Sequence, residues 1–279
     1  MKRVKLDPLS YTAFPLKLYN VGGLNDYVAT GFYFEIDNRL WLITNWHNVT
    51  GFDLDTQKRK EDAYSSPVKV GVPIIVQTPR GIEWKWYSVE LYDDEKPKWL
   101  IHPVHKTRVD VIALEIASNV PENKIIPINK IEWDKGIEPI IADNIYVLGF
   151  PYGLRGGGNF PIWKRATVAS EPDIDYQELP QFIIDTTTRK GMSGSPVVMR
   201  RQGIHNLINN QLHSDSILGE VQNFIGIYSG RFYANELEET QLGRVWKAHL
   251  IQETIEGGVK DKFYYPHTSS IDDGQEATG

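Results

Sequence analysis

The chain contains no cysteine, which removes disulfides, thiolate metal centres and cysteine nucleophiles together. It also lacks any stretch approaching the roughly 18 uninterrupted apolar residues of a membrane span. Met1-Lys2-Arg3-Val4-Lys5-Leu6-Asp7-Pro8 carries positive charge with no apolar segment behind it, so the pattern of a secretory leader is missing. These absences lead to the expectation of a cytoplasmic protein without membrane contact. Basic residues are in deficit as well: 30 Lys and Arg stand against 36 Asp and Glu, a net charge of −6. Nucleic acid is therefore not an expected partner, and Lys58-Arg59-Lys60 and Arg200-Arg201 read as solvated loops.

What is present is the balance of a folded globular protein, with 41% hydrophobic and 24% charged residues in 279. Runs rich in β-branched and aromatic residues cover Tyr27 to Ile36, Leu40 to Thr44, Val68 to Thr78, Glu83 to Tyr92 and Asp110 to Ile116. A second set covers Ile145 to Gly149, Ile162 to Ser170, Phe182 to Thr186, Pro196 to Arg200 and Asn223 to Ser229. Asp37-Asn38-Arg39 is expected to form a tight hairpin turn, because Asp and Asn tolerate left-handed backbone. Short strands separated by turn signals favour an all-β barrel or sandwich. Pro121, Pro127 and scattered charge mark a connection. The expected organisation is a first half over 1–120, a connection over 121–135, a second half over 136–265 and a mobile polar tail over 266–279. Leu242, Val245, Trp246, Leu250 and Ile255 recur at helical spacing, with Thr240 as cap and Gly257-Gly258 as stop, and predict a C-terminal helix. The interval Gln202 to Glu220 reads as a long loop.

Three short segments carry chemistry. Arg189-Lys190-Gly191-Met192-Ser193-Gly194-Ser195-Pro196 is a glycine-rich turn, and Thr44-Asn45-Trp46-His47 and Val109-Asp110-Val111-Ile112-Ala113-Leu114 lie upstream. Each presents its polar residue at the end or start of a strand-like run, where a rigid sheet can aim it into a cleft between the halves. A serine hydroxyl becomes an effective nucleophile when a base takes its proton, and a neutral imidazole suits that task near neutral pH. His47 is the candidate base for Ser193. Asp110, bonded to the other ring nitrogen, would fix the productive tautomer and stabilise the imidazolium. The amides of Gly191 and Ser193 can converge on a tetrahedral oxyanion if Gly191 adopts a backbone that a side chain would obstruct.

On these residues the chain resembles the trypsin-like serine peptidases of the chymotrypsin superfamily, in particular their cysteine-free bacterial intracellular branch. Further segments that carry the likeness are Ala29-Thr30-Gly31-Phe32, Val147-Leu148-Gly149-Phe150-Pro151 and Phe224-Ile225-Gly226-Ile227-Tyr228-Ser229-Gly230. The resemblance implies two antiparallel six-stranded β-barrels, a C-terminal helix and endopeptidase activity on protein or peptide substrates. It implies catalytic roles for His47, Asp110 and Ser193 and an oxyanion hole from Gly191 and Ser193. Ser229 falls beside the catalytic aspartate, and its strand, with Gly230 and Arg231, would pair with substrate backbone. Thr187 falls at the floor of the primary specificity pocket, where an uncharged residue gives no support for a Lys or Arg preference. Arg231 and Lys190 fall near the pocket mouth, which leaves open a preference for acidic or polar residues beside the reading that both face solvent.

Two departures matter. Met192 stands where secreted trypsins place the aspartate that captures a new N-terminus, so that activation switch is absent. Ser195 stands where glycine is usual. Elsewhere, His102 and His105 have no third ligand beside them and read as surface or partly buried imidazoles. Arg155-Gly156-Gly157-Gly158-Asn159 lacks the Gly-Lys-Ser/Thr of a phosphate loop, and Trp41, Trp84, Trp86 and Trp163 read as packing residues. No metal or organic cofactor is called for. Two other readings stand beside the enzyme: a protease-fold module that binds peptide or a partner without turnover, and a latent peptidase that a partner protein switches on.

Overall fold

The computed structural model describes residues 5–21, 23–59, 66–79, 81–116, 125–134, 136–209, 211–231 and 241–267. The expected cap Thr240, part of the 121–135 connection and the tail beyond residue 267 lie outside the described residues.

The first half is antiparallel β-structure. It contains β1 (Ala13–Asn20), β2 (Gly23–Ile36), β3 (Arg39–Thr44), the short helix α1 (Trp46–Thr50), β4 (Lys69–Thr78) and β5 (Gly81–Glu90). The two-residue pieces β6 (Tyr92–Asp93), β7 (Lys96–Pro97) and β8 (Leu100–Ile101) follow, then β9 (Ile112–Ile116). Asp37 and Asn38 both take left-handed backbone, at φ 51 and 57, and the β2–β3 hairpin closes with Ile36 opposite Arg39. This is the turn expected from the sequence, with the twist that flanking strands require.

The second half contains β10 (Asn144–Gly149), β11 (Ile162–Val168), β12 (Gln181–Asp185), β13 (Pro196–His205), β14 (Ile217–Arg231) and β15 (Leu242–Lys247). These six close into a barrel in the order β10-β11-β12-β15-β14-β13. Helix α2 (His249–Gly257) comes next, and the chain then returns to the first half as β16 (Val259–Lys260), which pairs with β8.

Among the described residues one six-stranded barrel closes, and closure of a second one in the first half is not seen. The first half is an eight-stranded sheet in the order β16-β8-β9-β3-β2-β1-β4-β5. Strand β16, supplied from beyond α2, occupies the edge of β8 that a closing strand would use. The segment Gln202 to Glu220 is also not a simple loop, since β13 and β14 run on as a paired ribbon to His205 and Ile217. The expected helix is shorter than its apparent period, because Leu242–Lys247 is strand and only His249–Gly257 is helical.

The reason lies in how the halves meet. Successive residues of a strand face opposite sides, and here both sides of several strands are buried. In β3, Leu42 packs into the first half's core while Trp41 and Ile43 pack into a cluster shared by both halves. In β9, Ile112, Leu114 and Ile116 face the first core and Ala113 the shared cluster. In β14 and β15, Tyr228 and Val245 face the barrel core, whereas Ile227 and Trp246 face the shared cluster. Adjacent buried residues such as Val245 and Trp246 mimic an i, i+3, i+4 pattern without forming a helix. Helix α2 seals the seam with Leu250, Ile251 and Ile255, each worth about 1.5–3 kcal/mol of burial.

Candidate active site

The polar residues singled out in the sequence meet along this seam. Helix α1 begins directly after β3 and buries all five of its residues, so His47 is held by packing on every side and is only 6% exposed. Asp110 lies two residues before the start of β9 and is fully buried. Its carbonyl accepts from Asn45 Nδ2 at 2.7 Å and its Oδ1 accepts from the His47 amide at 2.9 Å. Its Oδ2 receives the His47 Nδ1–H at 2.6 Å and the Ser229 hydroxyl. An ionised carboxylate only accepts, so His47 carries its proton on Nδ1 and leaves Nε2 as the basic nitrogen.

Burial opposes ionisation of Asp110. The positive charge available at His47, the hydrogen bonds from its ring and amide, and the Ser229 hydroxyl outweigh that burial and hold the carboxyl below its ordinary value of 3.8. A carboxylate that stays charged at this depth keeps a fixed negative charge against the imidazole.

Ser193 sits in the turn between β12 and β13, half-buried, with Gly191 and Gly194 at φ 94 and 87. A Cβ on Gly191 would run into the Phe150 carbonyl oxygen and lie 3.2 Å from the Tyr152 amide, and one on Gly194 would run into the Thr30 carbonyl. Both positions combine left-handed backbone with close approach, which only glycine satisfies cheaply. The turn is braced from the first half. Thr30 N and Asn48 Nδ2 donate to the Ser193 carbonyl at 2.9 and 3.1 Å, and Thr30 Oγ1 donates to the Gly191 carbonyl at 2.8 Å. Asn48 also donates to Thr44 Oγ1, which donates to the Thr30 carbonyl. From the second half, the Tyr152 amide donates to the Lys190 carbonyl at 2.7 Å. Met192 is fully buried in the barrel core, so apolar packing anchors the turn at the position discussed above for an aspartate.

Of the remaining residues, Thr187 is half-buried on the segment entering the turn, and Arg231 is half-buried at the end of β14. Gly230 lies beside Ser193, since a methyl group added there would stand in van der Waals contact with its Oγ at 3.6 Å. Ser195 is fully buried, and its Oγ has no hydrogen-bond partner among the described residues. His102, outside the site, is buried and bonded to Glu253 at 2.9 Å. Reading the sequence missed the bracing roles of Thr30, Thr44, Asn45 and Asn48. The signal for Thr44, Asn45 and Asn48 was their clustering as short polar residues beside His47 at the end of β3 and in α1, whereas Thr30, in β2, gave none.

Comparison with known proteins identifies the family of the chain. Residues 29–203, more than half of the chain, match the family described as Trypsin-like peptidase domain. No curated protein matches. Among solved structures, the serine endoprotease from Yersinia pestis aligns with 91% of this chain and 67% of its own, at 15% identity and TM-score 0.48. The active form of the Rv3671c protease from M. tuberculosis aligns with 94% of this chain and 85% of its own, at 16% identity and TM-score 0.44. Matched over most of its length by that family's pattern, the chain belongs to the trypsin-like peptidase domain family.

Proposed function

We propose that the chain cleaves peptide bonds through a His47–Asp110–Ser193 triad and a covalent acyl-enzyme. The observation that carries this reading is the double engagement of Asp110, which receives both the His47 ring and the Ser229 hydroxyl from opposite halves of the molecule. An aspartate used only as a strand cap has no need of either partner.

In this reading His47 Nε2 takes the Ser193 hydroxyl proton as Oγ attacks the scissile carbonyl carbon. The carbonyl oxygen becomes an oxyanion facing the amides of Gly191 and Ser193, and the left-handed Gly191 backbone supports that role. Collapse expels the amine, which receives the proton from His47, and leaves an ester on Ser193. Water then gives a proton to His47 and attacks the ester, releasing the acid and restoring the serine. His47 then returns the proton taken from water to Ser193 Oγ, so the cycle consumes one water molecule.

The test is labelling by a fluorophosphonate probe in wild type, Ser193→Ala and Ser195→Ala. Loss of labelling in Ser193→Ala alone is the expected result. A folded wild type that resists labelling would instead favour the binding-module or partner-activated readings.

A further inference from the structure

Strand β13 outruns its neighbour on one side. It pairs with β10 only from Val197 to Met199, whereas its pairing with β14 continues to His205. The direction of the free edge follows from Gln222, which lies opposite Arg200 on β14. Gln222 N donates to Asp134 Oδ2 at 2.7 Å, and its carbonyl accepts from Asp134 N at 3.0 Å. Both groups thus turn away from β13, and in an antiparallel ladder the residue opposite turns away as well. Alternation along β13 then sends the N–H and C=O of Gln202 and Ile204 outward, and these four groups meet no partner among the described residues.

They open on a groove of about 880 Å³, bounded on its far side by residues of the segment 136–146. Its apolar lining includes Ile140, Ile204 and Leu207, which are 60, 49 and 42% exposed. An apolar cluster of this kind marks an interaction surface. Strand edges are usually blunted by Lys, Pro or a covering segment, yet from Gln202 to Glu220 the ribbon contains no Lys, Arg or Pro.

The groove also carries charge of one sign. Arg200 is bonded to Asp7 at 2.7 Å and stands 3.6 Å from Glu220, and Arg201 is bonded to Asp143. Glu138, exposed on the far wall, has no ion pair among the described residues. Asp7, Glu138, Asp143 and Glu220 therefore outnumber the two guanidiniums, and the rim is acidic.

We infer that this edge docks an extended segment of a partner protein, which adds a strand to β13 and carries apolar residues at alternate positions with Lys or Arg between them. Gln202 and Ile204 bond its backbone, Ile140, Ile204 and Leu207 receive its apolar side chains, and Glu138 meets a basic one. The run Asp272-Asp273-Gly274-Gln275-Glu276 of this chain has the wrong charge for the rim, and a second copy pairing ribbon to ribbon brings no Lys or Arg. None of these residues belongs to the candidate active site, so the inference stands apart from the role of Ser193.

The experiment uses the full chain carrying Ser193→Ala, so that a bound peptide is not cut, and a fluorescein-labelled peptide of about six residues alternating Val and Lys. Fluorescence anisotropy is expected to show saturable binding, with the matching Val–Glu peptide weaker by about tenfold or more. Gln202→Pro removes one outward N–H and leaves the bonds to β14 in place, and Ile204→Lys sets a like charge in the groove; each should weaken the Val–Lys peptide by about tenfold. Binding that both substitutions leave unchanged belongs to another surface and overturns the inference. Absence of binding, or equal binding of the two peptides, also overturns it. Ile204→Lys and the peptide comparison decide the matter if Gln202→Pro does not fold. A dimer in sedimentation that Ile204→Lys converts to monomer would assign the edge to a second copy and overturn the inference as well.

Discussion

The Asn48 side chain donates to the Ser193 carbonyl at 3.1 Å, joining the helix that carries His47 to the turn that carries Ser193. The two groups come from different halves, and this bond adds a direct tie between them to the one that runs through Ser229 and Asp110. Because Asn48 touches the serine's backbone and not its hydroxyl, it acts by positioning. In Asn48→Ala we expect kcat to fall about 10- to 100-fold with KM little changed, as sub-ångström misplacement of a nucleophile costs this much. Steady-state kinetics on one peptide, split into kcat and KM, checks it. A change confined to KM would count against positioning.

Asp110 makes a second expectation specific. Asp110→Asn keeps the shape but no longer obliges His47 to carry its proton on Nδ1, and kcat should fall on the order of 10⁴-fold. The same residue contributes a stability term of definite sign. Its carboxyl titrates below the ordinary 3.8 in the folded chain, so the unfolded chain binds the proton first as pH falls. The increment is fully present above that ordinary value and is lost as pH falls through the folded one. Denaturant unfolding of wild type and Asp110→Asn between pH 5 and 3 should show the wild-type advantage shrinking toward acid.

Part of the candidate site was legible because His47 and Asp110 stand at strand ends in the sequence, and the structure joins them by a hydrogen bond. The β2–β3 turn was legible for the same local reason, since Asp37 and Asn38 supply its backbone themselves. What escaped depends on partners distant in the chain. β15 read as helix because Val245 and Trp246 bury opposite faces of one strand, and a period cannot distinguish that from a helical stripe. The edge taken by β16 is set by a chain that returns about 158 residues after β8, Val259 pairing with Ile101, which no local pattern records.

The two serines of the turn should separate cleanly. Ser195 Oγ is buried and has no hydrogen-bond partner among the described residues, so the hydroxyl pays for desolvation without return. Ser195→Ala should leave labelling intact and change stability by between zero and about 1 kcal/mol in the favourable direction. Thermal unfolding measured beside the labelling assay decides this. Destabilisation of Ser195→Ala beyond about 1 kcal/mol would mean that the hydroxyl has a partner in solution.

A last expectation concerns Asp261, whose pH dependence runs opposite to that of Asp110. Asp261 is 4% exposed, and its Oδ2 accepts from Trp46 Nε1, Trp99 Nε1 and the Tyr265 hydroxyl at 3.1, 3.2 and 2.9 Å. It thereby straps the chain beyond α2 onto the helix of His47, where Trp46 immediately precedes the base. Burial pushes its carboxyl above the ordinary 3.8, and these hydrogen bonds only partly restrain the shift. The folded chain therefore binds the proton more tightly than the unfolded one, and the associated stability is present at low pH and lost as pH rises through the folded value. Asp261→Asn cannot titrate, so its stability relative to wild type should improve between pH 4 and pH 7. Asp261→Ala leaves three buried donors unpaired and should cost about 3 kcal/mol or more at any pH in that range. Denaturant unfolding of the three proteins at pH 4 and pH 7 provides the check. A wild-type advantage over Asp261→Asn that grew with pH would show the carboxyl to be ionised in the fold throughout.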